Sequence, residues 1–388
     1  MGKTLKVGLL IETSNAYARG LLRGVAAYMR EHGNWSVDLW ESSRGDQALS
    51  WLRNWKGEGI IARIENKLVA KALEGLRIPV VDVSSARLMT SLPWVETNDM
   101  AIAHCAAEHL LERGFKHFAY LGESSFNWSV WREEHFTRII REAGHPCWSF
   151  RPPSRPKSGD KARMESVGSW LVRLPKPVGV FACYDFCGRQ ILDACRQKSL
   201  AVPDEVAVIG VDNDDLLCEL ADTPLSSIIP NTHRTGYEAA SLLARMMAGE
   251  RLKPEGHLIE PLGVATRRST DVLAIEDPNI VAAIRFIRDQ ACEGICVKDI
   301  LREIPQSRRS LEHRFKKLIG RTPHEEIIRV QINRVKDLLT ESNLSLEKIA
   351  ARTGFSHVEY LSVAFRRETG LPPGQYRLLN QPISPFKT

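Results

Sequence analysis

Residues 349–377 read IAARTGFSHVEYLSVAFRRETGLPPGQYR, and this stretch decides the fold of the C-terminal part of the chain. Its spacing predicts two short helices joined by a tight turn. Ile349 and Ala350 end the inner face of the first helix. Gly354 then supplies a turn conformation that a side chain would resist. The stretch therefore predicts a helix-turn-helix unit.

The second helix of this unit has an apolar back and a polar front. Tyr360, Leu361 and Phe365 fall on one face, which we expect to be buried. A helix with a polar, basic front behind a glycine turn can lie in the major groove of DNA. The front would present as DNA-binding residues Ser356, His357, Glu359, Ser362, Arg366 and Arg367.

The string resembles the signature of the AraC family of transcription regulators over its whole length, with nearly every framework position filled. Leu361 departs from the family, which usually has a second aromatic residue there, but it keeps this core position apolar. The resemblance implies an all-α DNA-binding domain with two such units. The alternative is a helical hairpin that has no role on DNA.

A second copy should therefore lie upstream, and residues 297–317, VKDILREIPQSRRSLEHRFKK, fit it. In this alignment Leu311 corresponds to Tyr360. Pro305 stands where the turn glycine would be, so this turn must differ in detail, because proline fixes φ and removes a donor. The exposed face would carry the DNA-binding residues Ser307, Arg308, Arg309 and His313, with Glu312 beside them.

Between the two units, residues 322–340 predict one long helix. Thr322 is placed as an N-cap, and Pro323 takes the first helical position. Apolar residues recur along it with helical spacing, at Ile327, Ile328, Ile332, Val335, Leu338 and Leu339. This helix would hold the two units at a fixed spacing.

The charge of the chain is unevenly distributed. From residue 278 onward there are 19 Lys and Arg against 12 Asp and Glu, a net charge of +7, which leaves −1 for the rest of the 388 residues. A basic segment that coincides with the helix-turn-helix patterns is what neutralisation of DNA phosphates requires.

Several classes of protein are not indicated. No apolar stretch reaches the roughly 20 residues that span a bilayer, and the opening MGKTLKVGLLIETS has too short an apolar run for a signal peptide. The eight cysteines form no CxxC pair, so we expect free thiols in a reducing cytosol, with no metal and no cofactor. No GxSxG, Walker or GxGxxG pattern appears, so an enzyme is not expected.

The first 270 residues alternate short apolar strands with amphipathic helices. Repeated β-α units form parallel sheets with helices on both faces, and the length allows two lobes. Ligands of such folds bind at the carboxyl ends of the strands, in the cleft between the lobes. We expect strands at 5–11, 36–40, 59–62, 79–83, 117–121, 178–182 and 206–211, and helices at 16–31, 99–113 and 184–198.

Two strings in this part resemble the effector domains of LacI-type repressors, which share the fold of periplasmic sugar-binding proteins. They are NDMAIAHCAAEHLLERGFKHFAYLG at 98–122 and PDEVAVIGVDNDDL at 203–216. The resemblance implies a two-lobed α/β, periplasmic-binding-protein-like sugar sensor. Such a sensor followed by an AraC-type domain resembles the xylose-responsive regulators, which implies D-xylose as the effector.

Sugars are held by carboxylates and Arg side chains, with an aromatic ring against their C–H face. Residues of these types follow the predicted strands, and Arg132 and Asp212 match sugar-binding positions of the LacI-like family. The ligand-binding candidates are Asn15, Tyr17, Arg19, Arg63, Trp128, Arg132, Asp185 and Asp212. Arg63 stands where the xylose regulators carry an acidic residue, which leaves another sugar or a sugar acid open as the effector.

The predicted organisation is a sensor domain at 1–270, a linker at 271–277 and a double helix-turn-helix domain at 278–388. We expect a cytoplasmic homodimer that binds operator DNA and activates xylose (pentose) utilisation genes, in contact with RNA polymerase. A solute receptor of a transporter is one alternative, although it does not explain the helix-turn-helix units. An enzyme on an α/β scaffold is the other.

Overall fold

The computed structural model describes residues 4–40, 52, 55–152, 160–272, 274–275 and 277–380. The chain divides into two compact units. The first comprises Met1–Leu110 and Lys116–Val272, and the second comprises Leu111–Phe115 and Leu273–Thr388. The linker predicted at 271–277 includes positions 273 and 276, which lie outside the described residues.

The first unit contains two six-stranded sheets. The strands are β1 (Leu5–Leu10), β2 (Trp35–Leu39), β3 (Gly59–Ala62), β4 (Val80–Asp82), β5 (Trp94–Thr97), β6 (His117–Leu121), β7 (Cys147–Phe150), β8 (Val178–Ala182), β9 (Val206–Val211), β10 (Ser226–Ile229), β11 (Gly256–Ile259) and β12 (Gly263–Ala265). The first sheet has the order β11-β5-β4-β3-β1-β2 and the second β12-β10-β9-β8-β6-β7. In both sheets the strand pairs are parallel, except for the antiparallel pair of β10 and β12 among the described strands.

The helices of the first unit are α1 (Ala16–His32), α2 (Lys67–Leu73), α3 (Asp99–Leu111), α4 (Asn127–Glu142), α5 (Asp160–Arg173), α6 (Asp185–Gln197), α7 (Asp215–Glu219) and α8 (Thr232–Met247). The chain passes from the first sheet to the second through α3, returns through α8, and crosses to the second sheet again between β11 and β12. Val25 of α1 and Leu243 of α8 pack with Val81 of the first sheet in one buried core. Each sheet with its helices is therefore one lobe, and a cleft opens where the strands of both lobes end.

The second unit is built from helices. They are α9 (Pro278–Gln290), α10 (Val297–Glu303), α11 (Arg308–Ile319), α12 (Pro323–Glu341), α13 (Leu346–Arg352), α14 (Val358–Thr369) and α15 (Pro373–Asn380). Leu311 and Phe315 of α11 lie in one apolar core, and Leu361 and Phe365 of α14 lie in another. The long helix α12 contributes residues to both cores, so it ties the two helix-turn-helix units together.

The start of α12 has the predicted cap. The hydroxyl of Thr322 accepts a hydrogen bond from the backbone N–H of Glu325 at 3.3 Å. The carboxylate of Glu325 in turn accepts from the backbone N–H of Thr322 at 2.7 Å. This reciprocal pair satisfies donors that would otherwise be left over at the helix start, and Pro323 needs no partner there.

The short segment Leu111–Phe115, which begins with the last residue of α3, belongs to the second unit. The buried carboxylate of Glu112 forms ion pairs with Arg321 and, at 2.8 Å, with Arg329. The carbonyl of Arg113 accepts a hydrogen bond from the backbone N–H of Ala274 at 2.7 Å. The sequence patterns do not predict this attachment, because it depends on partners about 200 residues apart.

The predicted fold class is confirmed: parallel sheets in two lobes, followed by helices that form two helix-turn-helix units. The helix predicted at 184–198 begins one residue later, with Tyr184 as its extended N-cap. The helix predicted at 99–113 ends at Leu111. Among the described residues, no helix is long and apolar enough to cross a membrane.

Candidate functional site

A cavity lies in the cleft of the first unit, where strands of both lobes end. Including the open solvent at its mouth, it encloses about 560 Å³. It is lined by Asn15, Tyr17, Arg63, Val83, Ser85, Glu96, Thr97, Asp99, Trp128, Arg132, Tyr184 and Asp212. Six of the eight ligand-binding candidates named from the sequence are among these residues, and Asp185 and Arg19 are not.

Arg132 is the buried cation of the second lobe. Its Nε donates to a carboxylate oxygen of Asp99 at 2.7 Å, and its guanidinium donates to the carbonyl of Cys183 at 2.6 Å. Burial lowers the pKa of Arg132, but the negative charges of Asp99 and Asp212 outweigh it and hold that pKa above its usual value. The guanidinium is therefore charged and held rigidly in the cavity wall.

Aromatic rings form the wall beside Arg132. The ring of Trp128 lies 4.9 Å from the guanidinium of Arg132. It also stacks on Phe126 at 5.2 Å and meets Tyr184 edge-on at 5.5 Å. Because Trp128 and Tyr184 both line the cavity, the site offers apolar faces next to a fixed cation.

Arg63 is the cation that the first lobe contributes to the cavity wall; its side chain is 9% exposed, and its charge is already balanced. Its guanidinium forms ion pairs with Glu12 and, at 2.7 Å, with Glu65, and it lies 5.1 Å from the ring centre of Tyr17. Burial lowers the pKa of Arg63, whereas Glu65 and Glu12 raise it above the usual value. Its Nε is buried and has no hydrogen-bond partner among the described residues. A ligand oxygen could satisfy that donor.

Three carboxyl groups line the cavity: Glu96, Asp99 and Asp212. Glu96 accepts a hydrogen bond from Arg87 at 2.5 Å, yet burial raises the pKa of Glu96 to about 8. Asp212 follows β9 and has a backbone φ of 105°, a conformation that non-glycine residues rarely adopt. Such strained positions cluster at functional sites, because the fold must hold them in place.

Asp185 does not line the cavity, and its side chain is hydrogen-bonded inside the fold. Its fully buried carboxylate accepts hydrogen bonds from the hydroxyl of Ser227 at 2.6 Å and from the backbone N–H of Asp214 at 2.8 Å. Burial and the nearby charge of Asp212 raise the pKa of Asp185 well above its usual value. Asp185 therefore fastens the start of α6 to the loop after β9.

Arg19, on the first turn of α1, also does not line the cavity, and its side chain has partners within the protein. Its guanidinium donates to the carbonyl of Thr13 at 3.1 Å and lies 3.7 Å from the carboxylate of Asp214. Asn15, by contrast, lines the cavity and also caps α1, because its side chain accepts from the backbone N–H of Ala18 at 2.8 Å.

Half of the residues that line the cavity were not among the candidates predicted from the sequence. Glu96 and Thr97 belong to β5, a four-residue strand that was not predicted, and Asp99 begins the helix after it. The run WVETND at 94–99 is the signal that could have revealed them, because a short strand that leads into a helix places its end at such a cleft. The other three cavity-lining residues that were not predicted are Val83, Ser85 and Tyr184.

The second candidate site is the exposed side of the helix-turn-helix units. Gly354 has φ +75°, and a Cβ built on it would lie 2.6 Å from the carbonyl oxygen of Ala291. Both observations explain the need for glycine in this turn, as predicted. The first turn has no equivalent glycine position, because four residues separate α10 from α11, whereas five separate α13 from α14.

This difference in turn length corrects the alignment of the two units. Leu311 and Leu361 are each the fourth residue of a twelve-residue helix, and both are fully buried. Leu311 therefore corresponds to Leu361 and not to Tyr360. Tyr360 was predicted to be in the core, but 46% of it is exposed, and its ring lies 5.8 Å from that of Phe355.

The DNA-binding candidates lie on the surface of the two units. Ser307 caps α11 and Arg308 pairs with Glu312 at 2.8 Å, while His357 is the N-cap residue of α14. Ser362 is half-buried. The exposed candidates are Ser307, Arg308, Arg309, His313, Ser356, His357, Glu359, Arg366 and Arg367.

Known domain families match almost the whole chain. A XylR N-terminal domain matches residues 6–99, a periplasmic binding protein-like domain matches residues 107–270, and a helix-turn-helix domain matches residues 301–378. A two-lobed ligand-binding fold and helix-turn-helix units in one chain define a ligand-responsive, DNA-binding transcription regulator.

Relatives that match almost the whole chain identify the family within this class of regulators. The xylose operon regulatory protein of Escherichia coli strain K12 is 30% identical over 389 residues, which covers 98% of this chain and 99% of that protein. The chain therefore belongs to the family of xylose operon regulatory proteins. The corresponding protein of Haemophilus influenzae strain Rd is 29% identical over 383 residues, 96% of this chain and 98% of that protein.

A solved structure is similar to this chain over almost its whole length. The xylose-binding transcription activator xylR has a TM-score of 0.63 and 28% identity, over 97% of this chain and 98% of that chain. These relatives are regulators of transcription, so the chain is not an enzyme.

Proposed function

We propose that this protein is a D-xylose-responsive transcription activator that binds operator DNA as a homodimer. The observation that carries the proposal is the cavity of the first unit, where a rigid Arg132–Asp99 pair lies beside the ring of Trp128. Charged hydrogen-bonding groups next to an apolar ring suit a ligand with hydroxyl groups on its edges and C–H groups on its faces.

The charges around the cavity favour a neutral sugar over a sugar acid. Two cations, Arg63 and Arg132, line the cavity together with three carboxyl groups. Arg63 already balances Glu12 and Glu65, so it carries no spare positive charge for a ligand carboxylate. A sugar acid would therefore add a negative charge to a region that has no excess of cations, and buried unpaired charge is costly.

The residues that we propose to contact the sugar come from both lobes. From the first lobe they are Asn15, Tyr17, Arg63 and Glu96, and from the second lobe Trp128, Arg132 and Asp212, with Asp99 as the partner of Arg132. A ligand that binds such a set prefers the arrangement in which both lobes are in reach, which is the condition for a ligand-driven change.

Helix α3 supports a route from the ligand to the DNA-binding unit. It begins at Asp99, which lines the cavity, and its last residue starts the segment Leu111–Phe115, which belongs to the second unit. A movement of Asp99 would therefore act through one helix on Glu112, which Arg321 and Arg329 hold. We propose this helix as the element that couples sugar binding to DNA binding.

The remaining features follow from this role. A regulator that binds operator DNA acts in the cytoplasm, and an activator makes contact with RNA polymerase. Two copies of the chain would place four helix-turn-helix units on one operator. We propose a sensor domain at 1–270 and a DNA-binding domain at 278–388, joined by a linker at 271–277.

A fluorescence anisotropy assay tests this function. The probe is a labelled duplex that covers the DNA upstream of the operon beside the gene for this chain. We expect D-xylose to change the dissociation constant of the full-length protein for this duplex, whereas D-xylose should have no effect on Arg132→Met. Equal affinities with and without D-xylose would contradict the proposal.

A further inference from the structure

The second helices of the two helix-turn-helix units, α11 and α14, expose different kinds of side chain. Both have twelve residues, and the fourth and eighth residues are buried in each, Leu311 and Phe315 in α11 and Leu361 and Phe365 in α14, so their faces can be compared position by position. At five matched positions α11 carries Arg309, Ser310, His313, Lys316 and Lys317, and α14 carries Glu359, Tyr360, Val363, Arg366 and Arg367.

Two apolar side chains stand on the face of α14. Val363 is 67% exposed and Tyr360 is 46% exposed, and they are three residues apart, which places them side by side on the helix. The matched positions of α11 hold His313 and Ser310, so this apolar pair belongs to α14 alone among the two helices. Phe355 supports the ring of Tyr360 from the turn.

The two helices also differ in net charge. Helix α11 has five Lys and Arg against one Glu, a net charge of +4, whereas α14 has two Arg against two Glu, a net charge of 0. Attraction to DNA phosphates grows with the number of cations. Helix α11 is thus suited to phosphate contacts, and α14 holds cations only at its last turn, at Arg366 and Arg367.

We propose that Val363 and Tyr360 form a reading surface for thymine in the major groove. The 5-methyl group of thymine is the one apolar group that a base pair presents on that edge. Val363 lies in the middle of α14, and the cations at the end of the helix attract the phosphates on either side of the groove. This inference rests on the DNA-binding function of the chain and names the base that one helix selects.

The test uses deoxyuridine, which pairs like thymine but lacks the 5-methyl group. Full-length protein selects duplexes from a pool of random-sequence DNA, and the selected duplex is synthesised again with one thymine at a time replaced by deoxyuridine. Anisotropy titrations then compare the parent with Val363→Ala. Val363→Thr serves as the conservative variant, because Thr keeps a γ-methyl group.

We expect at least one deoxyuridine position to weaken binding of the parent about fourfold, the factor for one buried methyl group. Val363→Ala should bind the thymine and deoxyuridine duplexes equally at that position, while Val363→Thr keeps part of the difference. The matched variant on the other helix, His313→Ala, should keep the whole difference.

Two results would overturn the inference. One is a parent protein that binds every deoxyuridine duplex as tightly as the thymine duplex, and the other is a Val363→Ala variant that discriminates like the parent. A parent that selects no duplex at all would contradict DNA binding itself, and with it this inference. Because Val363 is exposed, the thermal midpoint of Val363→Ala should equal that of the parent.

Discussion

The cavity of the first unit and the DNA-binding face of the second unit place their charged side chains in opposite ways. In the cavity wall of the first unit, Arg132 and Asp99 are buried and paired, and Arg63 is nearly buried and paired with Glu12. In the second unit, Arg309 and Arg366 are exposed on helix surfaces. Buried pairs give directional hydrogen bonds to a small ligand and are little affected by salt, whereas exposed cations attract phosphates and are screened by salt. The same residue type therefore serves two kinds of recognition.

The largest effect should come from breaking a buried pair. Arg132→Met leaves the carboxylate of Asp99 buried without its cation, which costs about 3–5 kcal/mol of the free energy of unfolding. We expect it to abolish sugar binding as well. Tryptophan fluorescence during urea unfolding measures the first unit selectively, because all nine tryptophans lie at or before position 170.

The double variant Arg132→Met with Asp99→Asn is the control for folding. It removes both charges, so it should recover most of the lost stability without recovering sugar binding. If it remained as unstable as the single variant, the charge pair would not be the cause of the loss.

The second prediction compares two glycines of the second unit. Gly354 and Gly370 share φ +75°, but a Cβ at Gly370 meets nothing within 4 Å, whereas one at Gly354 meets backbone and side-chain atoms below 3 Å. Gly370→Ala should cost about 1–2 kcal/mol for its backbone conformation alone. Gly354→Ala should cost clearly more, because the turn must also shift. Far-ultraviolet circular dichroism follows the loss of helix.

The tryptophan signal supplies the control for this pair. It should show the same unfolding midpoint of the first unit in both glycine variants and in the parent. Equal losses of helix stability in the two variants would show that the close contacts of Gly354 do not matter.

The fold was largely predictable from the sequence. The alternation of apolar strands and helices indicated parallel sheets, and the 349–377 string specified a helix-turn-helix unit. The alignment of the two units was wrong by one residue, because helical periodicity alone does not show that one turn is a residue shorter than the other. Tyr360 was placed in the core because it adjoins Leu361 on the predicted apolar face, whereas it lies at the edge of that face and is 46% exposed.

The cavity was predictable only in part. Residues that follow long apolar strands, such as Arg132 and Asp212, were predicted from the sequence. Glu96 was not predicted because it belongs to the short strand β5, and Asp99 was not because it follows that strand. Asp185 also follows a strand, but its side chain turns into the fold. Position at a strand end can be inferred from a sequence, whereas the direction of a side chain depends on its partners.

The third prediction concerns salt and sequence on the DNA side. Arg366→Ala should weaken binding uniformly across duplexes and make the salt dependence shallower by about one counterion, as expected for a lost phosphate contact. Glu359→Ala and His357→Ala should change the base preference, by about 1–3 kcal/mol at a contacted position. Anisotropy at several salt concentrations measures both. Three variants that all bind like the parent would mean that α14 does not contact DNA.

The smallest effect should be a pH dependence from Glu96. Burial raises the pKa of Glu96 to about 8, so the folded state binds more protons than the unfolded state between the ordinary value of 4.5 and that pH. Stability of the first unit should therefore fall as pH rises from about 5 to about 8. Glu96→Gln should make this slope shallower. A residual slope remains, because burial also raises the pKa of Asp82, to about 7.

Urea unfolding followed by tryptophan fluorescence at pH 5, 6, 7 and 8 measures this slope. An identical slope in Glu96→Gln and the parent would contradict the assignment of the proton to Glu96.

Calorimetric titration of the full-length protein with D-xylose, a hexose and a sugar acid measures directly whether the first unit is a xylose sensor. We expect that one D-xylose binds per chain, that the sugar acid does not bind, and that Asp212→Asn abolishes D-xylose binding. Asn suits this variant because it tolerates positive φ and keeps the shape of the side chain while removing its charge. Tight binding of the sugar acid without binding of D-xylose, or unchanged D-xylose binding by Asp212→Asn, would contradict the account.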